Sequence, residues 1–160
     1  MTIKGEYVPS PRAWVREQVE KIEAEGTTHA VHIMHRPVVL LTMHGLSGKV
    51  RKVPLMRVEH DGVYAAVASQ GGAPAHPKWY ANLRKNPVIE LQDGTKTWTA
   101  RAREIEGVER EEWWERCVEA FPDKTVWSHF GSGYGYVPLV LPVLGLWWLR
   151  RTRAAVDATV

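Results

Sequence analysis

Two short segments of this 160-residue chain carry the residue types that hold an anion. The first, TMHGLSGKVRKVPL at 42–55, lies between two apolar runs, and Gly45 and Gly48 would allow backbone N–H groups to converge on a phosphate. Its three cations are Lys49, Arg51 and Lys52. A Walker loop has four residues between its glycines and Ser or Thr after its Lys, so this is not one. The segment predicts either a phosphate-binding loop or a solvated basic turn.

The second segment is VASQGGAPAHPKWYANLRKNP at 67–87. A strand is expected to end in Ser-Gln-Gly-Gly, and a short helix to begin near Pro77. Ser69, the backbone amides of 70–72 and the helix N-terminus then form a second candidate anion site. Trp79 and Tyr80 would supply a flat apolar wall beside it, or would belong to the core.

Other reactive side chains give weaker signals. Histidines recur at every third residue from His29 to His35, but helical spacing would cluster them poorly and no carboxylate or cysteine lies among them. No metal site is expected. Ser47, Ser69 and the single cysteine, Cys117, each lack a local signature of a catalytic triad. Hydrolysis therefore has no support in the sequence.

These segments must be positioned by a mixed set of elements. Ser10 and Pro11 predict the start of a helix at 11–25, and Gly26 its end. Its expected apolar face is Trp14, Val15, Val19 and Ile22. Further helices are expected at 77–85 and 108–121, the second with Trp114, Cys117, Val118 and Phe121 on one face.

Five β-branched and aliphatic runs predict strands at 38–43, 53–59, 63–69, 88–92 and 97–105. Asp61-Gly62 and Asp93-Gly94 stand between such runs. Asp-Gly is favoured by type I′ hairpin turns, because both central residues need positive φ. The sheet is therefore expected to be mainly antiparallel.

Composition fits a single domain over 1–160, with a helical region at 1–26, the strands and helices at 27–122, and a divergent tail at 123–160. Hydrophobic residues make up 44% and charged residues 24%, as in ordinary globular proteins. A net charge of +3 is too small for the basic face of a nucleic-acid binder, but leaves a small anion as a partner. The first residues lack the apolar core of a signal peptide, so a cytoplasmic location is expected.

The tail contains an apolar run, VPLVLPVLGLWWL at 137–149, that Pro142 and Gly145 interrupt. It is shorter than the roughly 20 residues that a helix needs to cross a bilayer. Two interpretations stay open: a buried extended segment, or an anchor at the inner face of the membrane. The anchor would consist of Trp147, Trp148, Arg150, Arg151 and Arg153.

Taken together, the two segments resemble the deazaflavin-dependent nitroreductase family, whose members use reduced coenzyme F-420. The resemblance is carried by GEYVPSPRAWVREQVE near the start, RPVVLLT at 36–42, SGKVRKVPLMRVEHDGVYAAVASQGGAPAHPKWYANL at 47–83 and EWWERCVEAFP at 112–122. These stretches cover most of 5–122. The pairing of SGKxRxxPL with ASxGGAxxHPxWYxNL is specific, unlike a lone glycine motif.

The resemblance implies a mainly β (α+β) fold: an antiparallel split β-barrel, FMN-binding-like, with flanking helices. It implies hydride transfer from reduced coenzyme F-420 to a small-molecule electron acceptor such as a quinone, a nitroaromatic or an activated alkene. Such an enzyme needs no strong acid–base pair, because the cofactor supplies the hydride and the protein positions two rings. No catalytic residue is assigned.

The resemblance also implies which residues bind the cofactor. Those expected to contact its anionic tail are Ser47, Gly48, Lys49 and Arg51. Pro54 and Leu55 would lie beside the cofactor, with Trp79 also beside it and Lys78 near it. Those expected to line the approach of the phosphate and ring are Val67, Ala68, Ser69, Gln70 and Gly71.

Two departures from the family pattern shape the expectations. The loop Gly45-Leu46-Ser47-Gly48 is one residue shorter than usual and lacks a lysine, so weaker tail binding is expected. Beyond Pro122 the chain does not align with the family; Tyr134 and Tyr136 are only candidates for a substrate pocket. Two alternatives stay open: an FMN-binding reductase of the pyridoxamine-oxidase type, and a non-catalytic deazaflavin-binding protein.

Overall fold

A computed structural model describes residues 3–70 and 73–120 of the chain. Its helices are α1 Ala13–Glu25, α2 Lys78–Lys85 and α3 Gly107–Ala120. Its strands are β1 His32–Ile33, β2 Arg36–His44, β3 Val50–Met56, β4 Glu59–His60, β5 Val63–Tyr64, β6 Val88–Asp93 and β7 Lys96–Arg101. Expectations for Gly71, Phe121, Tyr134, Tyr136 and the apolar run at 137–149 lie outside the described residues.

Strand β2 is the centre of the sheet. It pairs antiparallel with β3, from Val38 opposite Met56 to His44 opposite Val50, and with β6 on its other edge. Strand β6 pairs antiparallel with β7, and the short β1 pairs with the start of β2. Strands β4 and β5 form a separate hairpin. Every strand pair in the described part of the chain is antiparallel, which confirms the mainly antiparallel α+β prediction.

The two Asp-Gly turns differ. Asp61 and Gly62 have φ of 50° and 78°, as a type I′ turn between β4 and β5 requires. At the second turn Asp93 still pairs with Lys96, so the two central residues are Gly94 and Thr95. Only Gly94 has positive φ, at 59°, so the type I′ prediction there is wrong. A Cβ on Gly94 would lie 3.2 Å from the His29 ring, which favours glycine at this position.

Three of the five predicted strands differ from the observed ones by three residues or more at an end. The run at 53–59 is a strand over Val50–Met56, and that at 97–105 is a strand over Lys96–Arg101. The run at 63–69 is a strand only over Val63–Tyr64. The Ala65 N–H still donates to the Val58 carbonyl at 3.0 Å, in the register of the hairpin, and the chain then turns so that Val67 packs in the cluster of α3.

The two faces of the sheet are covered by different helices. On one face, Val38 and Leu40 pack with Val15, Val19 and Ile22 of α1. The other face carries a second cluster, on which the α2 residues Trp79 and Leu83 pack; its members are Val39, Leu41, Met43, Ile89 and Leu91. Side chains alternate across a strand, so neighbouring β2 residues serve opposite cores.

Two predicted apolar helix faces, in α1 and α3, each include a tryptophan that the structure exposes. Trp14 is 48% exposed, because it lies about 100° around α1 from Val15. In α3, the buried residues are Trp113 and Cys117, an i,i+4 pair that packs on Val58. Trp114 and Val118 are exposed, contrary to the sequence prediction. The first helix also begins at Ala13, with Arg12 as its N-cap and the Ser10 hydroxyl accepting from the Arg12 N–H at 3.2 Å.

Helices in the described ranges are all too short or too polar to span a bilayer.

Candidate functional site

The basic loop, Gly45–Lys49, joins β2 to β3 and is closed by its own backbone. The Gly45 N–H donates to the Lys49 carbonyl at 2.8 Å, and the Gly48 N–H donates to the Gly45 carbonyl at 2.9 Å. Gly48 has φ of 79°, which explains the glycine there. Both glycine amides are therefore used within the loop, and do not converge on a ligand as the sequence suggested. Its exposed residues are Leu46, Ser47, Gly48 and Lys49.

Helix α2 holds the basic loop from one side. The Leu46 N–H donates to Oδ1 of Asn82 at 3.1 Å, and Asn82 is buried. This bond links the first predicted segment to the second over 36 residues. The segments 42–55 and 67–87 are therefore in direct contact.

The N-terminal segment, residues 3–9, holds the loop from the other side. Nζ of Lys49 pairs with Oε1 of Glu6 at 3.0 Å. Nη1 of Arg51 donates to the carbonyls of Val8 and Pro9 at 3.0 and 3.2 Å. Both cations predicted to meet an anionic tail thus have partners in the N-terminal segment.

Among residues 3–70 and 73–120, strand β3 has an unpaired backbone edge beyond its first residue. The Val50 N–H and carbonyl face away from β2, since they bond to Glu6 at 2.8 Å and Val8 at 3.0 Å. Backbone groups alternate in direction along a strand, so those of Lys52 and Pro54 face the same way. They have no backbone partner in the described ranges. Pro54 lacks an N–H, which is tolerated at such an edge position. This edge offers an N–H and carbonyls to a flat heterocycle.

Pro54 and Leu55 place their side chains on opposite faces of the sheet. Pro54 is buried opposite Leu40, on the α1 face. Leu55 lies opposite Val39 and packs with Trp79 in the cluster under α2. Leu55 and Trp79 therefore share one face of the sheet. The Pro54 side chain lies on the opposite face, so Pro54 can approach a ligand beside Leu55 and Trp79 only with its backbone carbonyl.

The Val67–Gln70 turn carries the second group of predicted residues. Val67 packs against the α3 cluster, while Ala68 and Ser69 are half-buried and Gln70 is exposed with φ of 49°. The His76 Nδ1 lies 3.2 Å from the Ala68 carbonyl and, because a carbonyl only accepts, donates to it.

Helix α2 separates its two aromatic residues. Trp79 is half-buried on the sheet and Lys78 is exposed. Tyr80 instead donates its hydroxyl to Oε1 of Glu104 at 2.5 Å, which raises the pKa of the tyrosine. Of the two residues predicted to form the apolar wall, Trp79 packs on the sheet cluster.

A cavity of about 310 Å³ lies on the α1 face, away from the Leu55 and Trp79 side chains. Its lining comprises Ile3, Gly5, Tyr7, Glu23, Leu40, Thr42, Val50, Lys52, Glu90, Gln92 and Thr97. Burial, followed by the charge of Glu23, raises the pKa of Tyr7. Lys52 pairs with Glu23 and lies over the Tyr7 ring, 5.2 Å from its centre. Of the described residues that were predicted to bind the cofactor, none lines this cavity.

One polar cluster escaped the sequence interpretation. Nε of Arg57 donates to Oδ2 of Asp93 at 2.7 Å, and the Tyr64 hydroxyl donates to the same oxygen at 2.8 Å. The bond to Asp93 raises the pKa of Arg57, and burial, followed by that bond, raises the pKa of Tyr64. The cluster fastens the β4–β5 hairpin to β6. No spacing signal could have revealed it, because Arg57 and Asp93 are 36 residues apart.

The remaining reactive candidates stay without a catalytic geometry. Cys117 is buried, and burial raises the pKa of its thiol, which disfavours the thiolate. Within residues 3–70 and 73–120, no group of His, Cys, Asp and Glu side chains is placed to hold a metal ion.

Comparison with known proteins gives consistent results. A family model described as F420H(2)-dependent quinone reductase matches residues 14–132. An F420H(2)-dependent quinone reductase of Mycobacterium tuberculosis is 34% identical over 71 residues, which are 44% of this chain and 48% of that protein. The matched part thus spans about half the length of that curated relative.

Two solved structures are more similar in sequence. One, described as a domain-swapped dimer, is 52% identical with a TM-score of 0.57, and the match covers 78% of this chain and 92% of that chain. The other, described as F420-H2 dependent reductase (FDR-A), is 50% identical with a TM-score of 0.55, covering 64% of this chain and 90% of that chain. From the family match over residues 14–132, with the segments 42–55 and 67–87 in contact through Leu46 and Asn82, the chain belongs to the F420H(2)-dependent quinone reductase family.

Proposed function

We propose that the protein is an enzyme that uses reduced coenzyme F-420 to reduce a quinone, and that nitroaromatics and activated alkenes are further acceptors. The observation that carries this proposal is the contact between the segments 42–55 and 67–87, through the Leu46 amide and Asn82. It puts a basic loop, a free strand edge and an apolar surface of Leu55 and Trp79 on neighbouring elements. Family membership supports the cofactor and the acceptor.

The described residues fit the chemical parts of this coenzyme. A deazaflavin has a flat ring with amide-like donors and acceptors, and an anionic tail of phosphate and glutamyl groups. The β3 edge at Lys52 and Pro54 offers an N–H and carbonyls to the ring, and Trp79 offers it an apolar neighbour. Ser47, Gly48 and Lys49 offer exposed polar groups to the tail.

The coenzyme supplies a hydride, and reduction of a quinone to the quinol takes that hydride together with a proton from water. The chain's own contribution is to hold two rings in contact, exclude water between them and neutralise the tail. Leu55 and Trp79 serve the first two tasks, and Lys49 of the basic loop with Arg51 of β3 serves the third. No side-chain acid is required.

The finer architecture belongs to the same proposal. Residues 1–160 would form one split β-barrel domain, with the β4–β5 hairpin and the segment after Tyr64 completing the barrel that β2, β3, β6 and β7 begin. The relative described as a domain-swapped dimer makes a second copy of this chain a reasonable partner. The proposed location is the cytoplasm. Flotation with anionic vesicles tests whether the tail at 123–160 attaches the protein to the inner face of a membrane. The test compares the intact chain with a variant that lacks residues 137–160.

Titration of the purified protein with coenzyme F-420 and with FMN tests the function. We expect tighter binding of the deazaflavin, and oxidation of its reduced form when menadione is added. Equal binding of both cofactors would favour an FMN-binding reductase of the pyridoxamine-oxidase type. Tight deazaflavin binding without turnover on quinones, nitroaromatics or activated alkenes would favour a non-catalytic binding protein.

A further inference from the structure

The N-terminal segment, residues 3–9, is fixed across the start of β3 by its backbone. The Val50 N–H donates to the Glu6 carbonyl at 2.8 Å, and the Val8 N–H donates to the Val50 carbonyl at 3.0 Å. His44 Nε2 lies 3.0 Å from the Lys4 carbonyl. Because these bonds use backbone atoms of the N-terminal segment, they place residue 6 at the basic loop whichever side chain it carries.

At that position the Glu6 carboxylate meets the Lys49 ammonium at 3.0 Å. The two side chains are 69% and 45% exposed, so the pair is open to solvent and to an incoming ligand. A glutamyl carboxylate of the coenzyme tail is the same functional group as the side chain of Glu6. A second carboxylate brought to Lys49 would have to displace Glu6 or sit beside a like charge.

We propose that Glu6 is a specificity-determining residue for the anionic tail: it acts as an internal carboxylate that competes with glutamyl groups for Lys49. The inference rests on the proposed use of coenzyme F-420. It gives Lys49 little net effect on affinity in the native protein, because one carboxylate replaces another at the same ammonium. This competition is a second reason, besides the short loop, to expect weak binding of the tail.

Glu6→Gln is the appropriate variant, since it removes the charge while keeping the backbone bonds and the side-chain size. The matched control is Glu17→Gln, which changes net charge equally at an exposed position of α1. The double variant Glu6→Gln with Lys49→Ala tests whether any gain depends on Lys49. Thermal unfolding of each variant tests whether residues 3–9 still stabilise the fold.

The experiment measures affinity for coenzyme F-420 and for a tail-less deazaflavin by fluorescence titration. Glu6→Gln should bind coenzyme F-420 about two- to fivefold more tightly, the range expected for an exposed ion pair. It should leave the tail-less analogue unchanged, and the gain should vanish in the double variant and shrink with salt. Glu17→Gln should show no such selective gain.

Three results would overturn the inference: no gain in Glu6→Gln, an equal gain for both deazaflavins, or a gain that persists without Lys49. These outcomes leave the proposed function intact, because the native protein would still bind the deazaflavin. Failure of the native protein to bind either deazaflavin would instead reject the proposed function, and the inference with it.

Discussion

The basic loop Gly45–Lys49 and the Val67–Gln70 turn are held in different ways. The loop closes a hairpin of seven paired positions in β2 and β3, and it is further bound by Asn82 and by the N-terminal segment. The turn follows a two-residue strand. Within the described ranges its attachments are the packing of Val67 and the bond from His76 to Ala68.

The difference separates two ways of building one binding site. At the loop, a regular hairpin sets the positions of Lys49 and Arg51. Both cations already have protein partners, so a ligand must compete with those partners. At the turn, few contacts fix the backbone, so its geometry depends on α2 and α3. Tail recognition is therefore expected to respond to charge, and ring recognition to packing.

Removing the core side chain beneath the loop should have the largest effect. Met43 is fully buried and lies opposite Arg51 in the hairpin. Met43→Ala should lower the free energy of unfolding by about 2–5 kcal/mol, from lost burial and a residual cavity. Val67→Ala, at the half-buried turn, should cost only about 1 kcal/mol. Urea denaturation measures both, and equal losses would mean that the two regions are equally well packed.

The bond between the loop and α2 gives the next largest effect on stability. Asn82→Ala leaves the Leu46 N–H without its acceptor and should cost about 1–3 kcal/mol in the free energy of unfolding. Asn86→Ala is the matched control, because Asn86 donates its backbone N–H, not its side chain, to the Asn82 carbonyl at 2.8 Å. If thermal and urea unfolding show the same loss in both variants, the Asn82 side chain does not hold the loop.

The contribution of Arg51 to tail binding sharpens the comparison on the ligand side. Arg51→Ala should weaken coenzyme F-420 binding by about 1–3 kcal/mol, the range for a hydrogen bond to a charged group. Affinity for a tail-less deazaflavin should change much less. Arg103→Ala removes the same charge from a residue that pairs with Glu109, and serves as the control. An unchanged affinity in Arg51→Ala would mean that Arg51 does not bind the tail and serves only to hold the N-terminal segment.

The smallest effect is expected at the turn. His76→Phe keeps a ring beside Tyr80 but removes the donor to the Ala68 carbonyl. Affinity for the tail-less deazaflavin should fall by about 0.5–1.5 kcal/mol, the net value of one such bond. His76→Asn should recover part of the loss, because an amide N–H can replace Nδ1–H. If Asn and Phe behave alike, the hydrogen bond does not position the turn.

Much of the local structure was predictable from the sequence. The buried face Val15, Val19 and Ile22 follows from helical spacing, and the Asp61-Gly62 turn follows from its need for positive φ. The family membership was predictable too, because the SGKxRxxPL and ASxGGAxxHPxWYxNL motifs lie in the matched region. The helix face and the turn depend on residues within a few positions of one another, so spacing alone encodes them, and the family is recognised from residue types at fixed spacing within each motif.

Tertiary structure decided the rest. The sequence could not show that β2 pairs with both β3 and β6, that the strand after Asp61-Gly62 ends at Tyr64, or that Trp113 is buried in place of Trp114. Nor could it show that Glu6 meets Lys49, 43 positions along the chain. Such contacts depend on which elements pack together, and the energy of that packing outweighs the local preference of any single residue. The sequence therefore determined which groups could bind an anionic cofactor, and the fold determined which of them already bind each other.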